Sequence, residues 1–218
     1  MGNSVNKYER QIWDMLLEGI GNPYGVAGLM GNLMAESSMN LFCKTGGKGE
    51  TRSLSGLEYA HKVMCGDISP EAFAHDGVAF GLAQWCYWSR KRDLFEYVRK
   101  NQLDIGSIEG QVGYLLKEIK KYKTVWNVLT TTKSVAEASD IVLLRYEKPA
   151  DTSDRVKAKR LRYSEEIFDR YADSRALSIK EMAQILTDIA QETLLMKPEH
   201  YDKLLLVIDN LEELAKTE

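Results

Sequence analysis

The stretch that says most about the fold is Asn22-Pro-Tyr-Gly-Val-Ala-Gly-Leu-Met-Gly-Asn-Leu-Met-Ala-Glu-Ser-Ser38. Asn22 followed by Pro23 is typical of a helix start, because the Asn side chain accepts a free backbone N–H and proline presets the first helical φ. Apolar residues then recur at helical spacing, at Val26, Leu29, Met30 and Leu33. The pattern predicts an amphipathic helix that begins at Pro23 and runs into Glu36.

The rest of the chain also has mainly helical periodicity. A Ser followed three residues later by Glu is typical of a capping box and predicts helix starts at Ser55, Ser134 and Ser178. Further amphipathic helices are predicted at 108–119 and at 153–171, and another contains Ile141, Val142 and Leu144 and ends before Pro149. The segment 44–53 holds Gly46, Gly47 and Gly49 and is predicted to be irregular. The fold class predicted from this pattern is all-α.

The predicted domain boundary follows Asp173 and Ser174. We expect one helical domain at 1–174 and a C-terminal hairpin of two amphipathic helices at 175–218. A two-helix hairpin of this length buries too little apolar surface to fold alone, so its apolar stripes must be covered. A homodimer formed through the hairpin is one expected way to cover them; docking on the domain or on a target is another.

Composition excludes several classes of function. The chain has 218 residues, 44% hydrophobic residues and a formal net charge of -3, with no apolar run long enough for a membrane span and no basic stripe for nucleic acid. Three cysteines and three histidines match no zinc signature, and neither a metal nor a cofactor is predicted. The polar N-terminus lacks the apolar core of a secretory signal, which favours cytoplasmic synthesis with free thiols.

Glu36 is the first candidate catalytic residue, because it ends an otherwise apolar helix where a carboxylate can be half buried. Burial raises the pKa of a carboxylic acid, and a protonated acid is what the cleavage of a glycosidic bond requires. An exposed glutamate at a helix end is the simpler interpretation of Glu36 alone. Gln84 and Trp85 favour the catalytic one, since an amide can bind sugar hydroxyls and a Trp ring can stack on a pyranose.

Four segments, in this order, resemble the phage tail lysozyme family of peptidoglycan hydrolases, within the lysozyme-like superfamily that includes goose-type lysozymes and soluble lytic transglycosylases. They are Ala27-Gly-Leu-Met-Gly-Asn-Leu-Met-Ala-Glu-Ser37, Phe73-Ala-His-Asp-Gly-Val-Ala-Phe-Gly-Leu-Ala-Gln-Trp85, Trp88-Ser-Arg-Lys-Arg92 and Tyr146-Glu-Lys-Pro149. The resemblance covers about residues 5 to 172 and implies a lysozyme-like helical domain that acts on bacterial peptidoglycan. It implies that Glu36 is the catalytic acid of an N-acetylmuramidase, which cleaves the β-1,4 bond between N-acetylmuramic acid and N-acetylglucosamine.

A hydrolytic muramidase usually needs a second carboxylate. Glu50, Asp67, Asp76 and Glu147 are available. Asp76 is favoured because it lies five residues before Gly81, and Glu50 comes second because it sits in the glycine-rich segment. Ser37, next to Glu36, and Tyr87, which follows the Gln84 segment, are further candidates for substrate contact.

Three alternatives stay open at this stage. A lytic transglycosylase needs one Glu only, since the substrate's own hydroxyl attacks and leaves a 1,6-anhydro product. Cys86 with His75 or His61 as base would instead cut wall peptides, and a non-catalytic wall-binding module would keep the fold alone. The resemblance also implies action on the cell wall, either as a free phage endolysin or as part of a phage tail.

Overall fold

The structure is a computed structural model that describes residues 8–172, together with 206, 207 and 210. The first residues of this range form two helices, α1 (Glu9–Ile20) and α2 (Pro23–Ser37). The elements that follow are β1 (Lys44–Gly46), α3 (Glu50–Ser53), α4 (Gly56–Cys65), α5 (Pro70–His75), β2 (Val78–Phe80), α6 (Trp88–Lys100), α7 (Ile108–Ile119), α8 (Lys123–Thr131), α9 (Val135–Val142), a π-helical turn (Leu143–Glu147) and α10 (Asp154–Tyr171). The domain is therefore mostly helical with one very small sheet.

Helix α2 starts where the sequence predicts, with the Asn22 side chain accepting a hydrogen bond from the Tyr24 backbone N–H. It differs from the prediction in having no solvent face over most of its length, since every residue from Gly25 to Leu33 is buried. An all-round buried helix is the centre of a domain rather than an amphipathic cover. The amphipathic prediction for α2 is therefore wrong, and α2 is the core helix.

Glycines allow three helices to pack closely on α2. A Cβ at Gly25 would lie 1.9 Å from the carbonyl oxygen of Leu129 in α8. At Gly28 it would lie 2.4 Å from Ala138 Cβ in α9, and at Gly31 it would lie 1.9 Å from Ser164 Oγ in α10. These distances are far below van der Waals contact, so a side chain at any of the three would push a neighbouring helix away.

The predicted helix starts in the described part are present. Ser55 caps α4 with a complete capping box, and the Ser134 side chain accepts from the Glu137 N–H at the start of α9. Helices α7 and α10 occupy the predicted segments, and the helical run through α9 and the π-helical turn ends at Glu147, before Pro149. The start at Ser178 lies outside the described residues.

The segment predicted to be irregular is more ordered than expected. It holds strand β1 and the short helix α3, and β1 pairs antiparallel with β2 in the register Lys44↔Phe80 and Gly46↔Val78. A three-residue strand is too short for a periodic signal, so the sequence pattern predicts an all-α class without this sheet. The pairing joins the chain that follows Glu36 to the chain that precedes Gln84.

The chain divides into two units, Met1–Ala172 and Asp173–Glu218. In the second unit the described residues Leu206, Val207 and Asn210 are helical. The predicted hairpin and its homodimer otherwise fall outside the described residues and stay predictions. Within the described part of the chain, no helix is both long enough and apolar enough to cross a membrane.

Candidate active site

Glu36 lies in the last turn of α2, which ends at Ser38 with a left-handed backbone (φ 54°). Its side chain is 23% exposed, so the carboxylate is half buried and still reachable from solvent. After α2 the chain runs to β1, which begins at Lys44. Cys43, just before this strand, is close enough to Glu36 for the two side chains to interact. Burial raises the pKa of Cys43, and the charge of Glu36 raises it further.

Arg160 is the ion-pair partner of Glu36. Its Nη2 lies 2.5 Å from Glu36 Oε1, and the Arg160 side chain is only 7% exposed. Nη1 donates to Asn32 Oδ1 at 3.0 Å and to the Asn32 carbonyl oxygen. Asn32 Nδ2 in turn donates to the Ser139 carbonyl oxygen at 3.1 Å. The guanidinium is therefore held in place by α2 and α9, and it stabilises a negative charge at the end of α2.

Glu147 is a second carboxyl group close enough to interact with Glu36. It is the last residue of the π-helical turn that continues α9, and its Oε1 is buried without a hydrogen-bond partner among residues 8–172. Burial, reinforced by the charge of Glu36, raises the pKa of Glu147 to about 8. A neutral carboxylic acid is therefore available at neutral pH beside Glu36.

A buried polar network lies next to Glu147 and is centred on Glu118 of α7. Arg90 donates to both carboxylate oxygens of Glu118, at 2.8 and 2.9 Å, and Tyr146 donates at 2.5 Å. Trp85 Nε1 donates at 3.0 Å and Tyr114 at 3.2 Å. Burial alone would raise the pKa of Glu118, but these bonds, with Arg90 first, leave it below its usual value.

This network corrects the expected role of Trp85. The ring is 0% exposed, packs edge-on against Tyr114 and donates its only N–H to Glu118. A fully buried ring has no free face for a sugar. Trp85 therefore supports the site from inside the core and does not stack on substrate.

Asp76 also has a different role from the expected one. Its side chain is 8% exposed and accepts hydrogen bonds from Lys91 Nζ at 2.5 Å, the Tyr59 hydroxyl at 2.5 Å and the Val78 backbone N–H at 2.9 Å. Lys91 is 0% exposed, and burial lowers its pKa while Asp76 opposes that shift. A carboxylate occupied by three donors is a structural ion-pair partner, so the expectation of a free Asp76 at the cleft is not met.

Glu50, a candidate second carboxylate, and Ser37, a candidate for substrate contact, do not have the surroundings expected from sequence. Glu50 is the first residue of α3, its side chain is 77% exposed, and its Oε1 lies 3.5 Å from Lys62 Nζ. Ser37 is buried, and its hydroxyl donates to the Leu33 carbonyl oxygen one turn earlier in α2. The structure gives Ser37 a bond within the helix rather than a free hydroxyl.

Gln84 and Tyr87 lie on the side of the small sheet. Gln84 Nε2 donates to the carbonyl oxygens of Cys43 and Gly81, both at 3.0 Å, and Gln84 Oε1 accepts from Thr45 Oγ1 at 3.0 Å. The amide thus links β1 and the residue before it to the turn at Gly81. An amide oxygen has two lone pairs, so Oε1 can accept one more hydrogen bond besides that from Thr45. Tyr87 is 60% exposed with its ring 6.0 Å from that of Trp88, so these aromatics form an accessible apolar surface.

The cysteine-based alternative gains no support from the geometry. Cys86 is exposed rather than packed, and within the described range it makes no hydrogen bond to His75 or His61. His75 Nδ1 instead lies 3.0 Å from the Glu71 carbonyl oxygen, and its ring stacks on Trp88. Cys43, Cys65 and Cys86 are all free thiols, as predicted. Among the described residues, no group of three His, Cys, Asp or Glu side chains is arranged to hold a metal ion.

Sequence reasoning missed Arg160 and Glu118. The run from Arg155 to Arg162 is typical of a solvated basic face, and only burial separates Arg160 from its neighbours. Glu118 lies in the amphipathic pattern of α7 with nothing to mark it, because its partners come from distant segments. The motif segments at Arg90 and Tyr146 were the available signal, since both contribute donors to Glu118.

Comparison with known proteins gives one family match. The family model described as phage tail lysozyme matches residues 7–171, which includes every residue of the site described above. Neither the curated proteins nor the solved structures yield a match.

Proposed function

Because the chain belongs to the phage tail lysozyme family, a family of peptidoglycan-degrading glycosidases, we propose that it is an N-acetylmuramidase with Glu36 as its catalytic acid. The bond cleaved would be the β-1,4 link between N-acetylmuramic acid and N-acetylglucosamine. The observation that carries the proposal is a half-buried Glu36 at the end of the core helix, next to the buried Arg160 and the carboxyl of Glu147.

In the proposed reaction, Glu36 gives its proton to the glycosidic oxygen as the bond from that oxygen to C1 of N-acetylmuramic acid breaks. The bonding electrons stay on the departing oxygen, and positive charge develops at the sugar. The Glu36 carboxylate left behind lies against Arg160, which stabilises it. Water then adds to C1 and returns a proton to the carboxylate, so the acid is regenerated.

A lytic transglycosylase is the second candidate, and the position of Asp76 favours it. Since Asp76 is occupied by Lys91 and Tyr59, the second carboxylate expected from sequence is not free to assist a water molecule. In a transglycosylase the C6 hydroxyl of N-acetylmuramic acid attacks C1 instead, and Glu36 alone serves as acid and then base.

Mass analysis of digested peptidoglycan separates the two candidates. We expect fragments with reducing N-acetylmuramic acid ends, the product of water attack. Fragments lighter by one water, with 1,6-anhydro ends, would instead assign the transglycosylase route. Cleavage of peptide bonds only would contradict both candidates and would indicate a peptidase. No clearing in a peptidoglycan zymogram would also contradict both and would leave a wall-binding module.

The proposed activity also indicates where the protein acts. The substrate is bacterial peptidoglycan, which the protein would reach either as a free phage endolysin or as part of a phage tail.

Substrate contact is proposed at Tyr87 rather than at Trp85. Tyr87→Ala should raise KM for glycan strands several-fold with little loss of stability, because an aromatic stacking contact is worth about 0.5–1.5 kcal/mol and the ring is exposed. Trp85→Phe should lower stability by about 1–3 kcal/mol, since Glu118 loses a buried donor, and should leave KM close to that of the wild type. Steady-state kinetics and thermal unfolding of both variants test the assignment; a larger KM effect at Trp85 than at Tyr87 would reverse it.

A further inference from the structure

A cavity lies between the start of α8 and the π-helical turn. Its volume is about 380 Å³, and its lining residues are Tyr122, Lys123, Thr124, Val125 and Arg145. We call it the α8 cavity. Small-molecule sites in proteins have volumes of about 300–1,000 Å³, so the α8 cavity is large enough to hold one small group of a larger ligand.

Among the described residues, the lining of the α8 cavity holds two cations and no anion. Lys123 and Arg145 are both exposed, and neither forms a hydrogen bond or an ion pair with any residue that the structure describes. The Thr124 hydroxyl is likewise without a partner in that part of the chain. Two uncompensated positive charges and a free hydroxyl at one cavity favour an anionic ligand, because charge-assisted hydrogen bonds are roughly twice as strong as neutral ones.

The charges around the α8 cavity add to this preference. Between positions 119 and 136 the sequence contains no Asp or Glu, and its charged residues are Lys120, Lys121, Lys123 and Lys133. Lys148, just after the π-helical turn, has its Nζ 6.0 Å from the centre of the Tyr122 ring. Two acids of the preceding helices are already neutralised, since Asp93 is paired with Lys121 and Glu118 with Arg90. The electrostatic potential at the cavity is therefore positive.

Both walls of the α8 cavity are held by contacts to the core. On the α8 side, Val125 is only 1% exposed and packs in the hydrophobic core. Tyr122 packs edge-on against Tyr146 of the π-helical turn, with ring centroids 5.3 Å apart, and the Tyr146 hydroxyl donates to the buried Glu118 at 2.5 Å. Arg145 directly precedes Tyr146 in that turn. The backbone that carries the two cations is therefore in place before a ligand arrives, which lowers the entropic cost of binding.

We propose that the α8 cavity is a second binding site, which takes a carboxylate group of the peptides attached to N-acetylmuramic acid in peptidoglycan. The Arg145 guanidinium can bind both carboxylate oxygens with paired N–H donors, and the Lys123 ammonium and the Thr124 hydroxyl can donate to them from α8. A neutral sugar would leave both cations without a counter-charge, so the cavity suits the peptide part of the wall rather than the glycan. This inference takes its ligand from the proposed function and does not depend on which bond is cleaved.

NMR titration of the nitrogen-15-labelled protein tests this site, with the free stem peptide of peptidoglycan as the probe. The peptide should shift the backbone amide signals of Thr124 and Val125. The same peptide with its carboxylates converted to amides should bind about fivefold or more weakly, because the charge that Lys123 and Arg145 recognise is gone. Equal binding of the two peptides, or shifts confined to other parts of the protein, would overturn the proposal. Glycerol phosphate should also bind more weakly than the stem peptide, since it lacks apolar groups to contact Tyr122; tighter binding would assign the cavity to phosphate-containing polymers instead.

Variants at the two cations show whether the cavity itself holds the peptide. Lys123→Gln and Arg145→Gln should each weaken binding of the stem peptide by about threefold or more, and both should stay folded because the side chains are exposed. Arg145→Lys keeps the charge but loses the paired donors, so its affinity should lie between those of the wild type and Arg145→Gln. Lys133→Gln is the matched control, since it removes the same charge at an exposed position beyond the other end of α8. An equal loss in Lys133→Gln would mean that net charge rather than the cavity holds the peptide, and that result would contradict the proposal.

Cleavage assays separate the fate of this site from that of the proposed function. On glycan strands that carry peptides, Arg145→Gln should lower kcat/KM by about threefold, and on strands freed of peptides by an amidase it should match the wild type. If Arg145→Gln matched the wild type on both kinds of strand, the second site would be refuted and the glycosidase would stand. If the protein bound the stem peptide through its carboxylates but cleaved neither kind of strand, the glycosidase would be refuted and the site would stand.

Discussion

Glu36→Gln is expected to reduce peptidoglycan cleavage by about 100-fold to 10,000-fold while the protein stays folded. An amide of the same size cannot give a proton to the glycosidic oxygen, and general acid catalysis typically contributes a factor of that order. Fold retention is expected because Gln Oε1 can still accept the hydrogen bond from Arg160 Nη2. Turnover on purified glycan strands and thermal unfolding measured on the same preparation check both parts.

Glu165→Gln serves as the matched control for this variant, since it removes one negative charge from an exposed site of α10. If Glu36→Gln kept more than about a tenth of the wild-type turnover, Glu36 would not be the proton donor. If it lost turnover only in proportion to lost folded protein, the ion pair with Arg160 would be structural, and the catalytic carboxyl would lie elsewhere.

The second large effect is expected from Lys91→Met, which should destabilise the domain by about 3–5 kcal/mol. Lys91 is 0% exposed and is the cation bound to the buried Asp76 carboxylate. Its removal leaves that charge without a counter-ion in the core, where the cost of an unpaired charge is several kcal/mol. Chemical denaturation monitored by tryptophan fluorescence measures the loss.

Lys121→Met is the matched control, because Lys121 forms a 3.0 Å ion pair with Asp93 at the surface. Exposed pairs contribute about 0–1 kcal/mol, so this variant should be nearly as stable as the wild type. The double variant Lys91→Met with Asp76→Asn removes both buried charges and should recover part of the stability lost in the single variant. It should also cleave peptidoglycan at temperatures where it is folded; an inactive but folded double variant would return Asp76 to the list of catalytic carboxylates.

Much of the helical framework could be predicted because its signals are local. Asn22 with Pro23, Ser55 and Ser134 each use a side chain to satisfy a backbone N–H two or three residues away. Such bonds join residues that are close in sequence, so the residue types alone predict them. The small sheet could not be predicted, since its strands are three residues long and 30 or more residues apart in the chain.

The site residues also divide into those with a local sequence signal and those whose role depends on distant segments. Glu36 stands out in sequence because it ends an apolar helix, but its partner Arg160 is 124 residues away and looks like one more member of a basic run. The sequence favours Trp85 for binding because a Trp ring can stack on a sugar, and Asp76 for catalysis because it lies five residues before Gly81. Their burial against Glu118 and Lys91 depends on how α6 and α7 pack, which no local pattern records.

The sequence by itself determined the helix starts, the mostly helical class, the phage tail lysozyme family and the prominence of Glu36. The tertiary structure decided how the charged groups are paired: it buried Arg160 against Glu36, buried Glu147 within range of the charge of Glu36, and placed Asp76 against Lys91. The physical reason is range. Helical backbone hydrogen bonds and helix caps act within about four residues, whereas burial and charge pairing join segments that meet only when the core helix α2 is covered on every side.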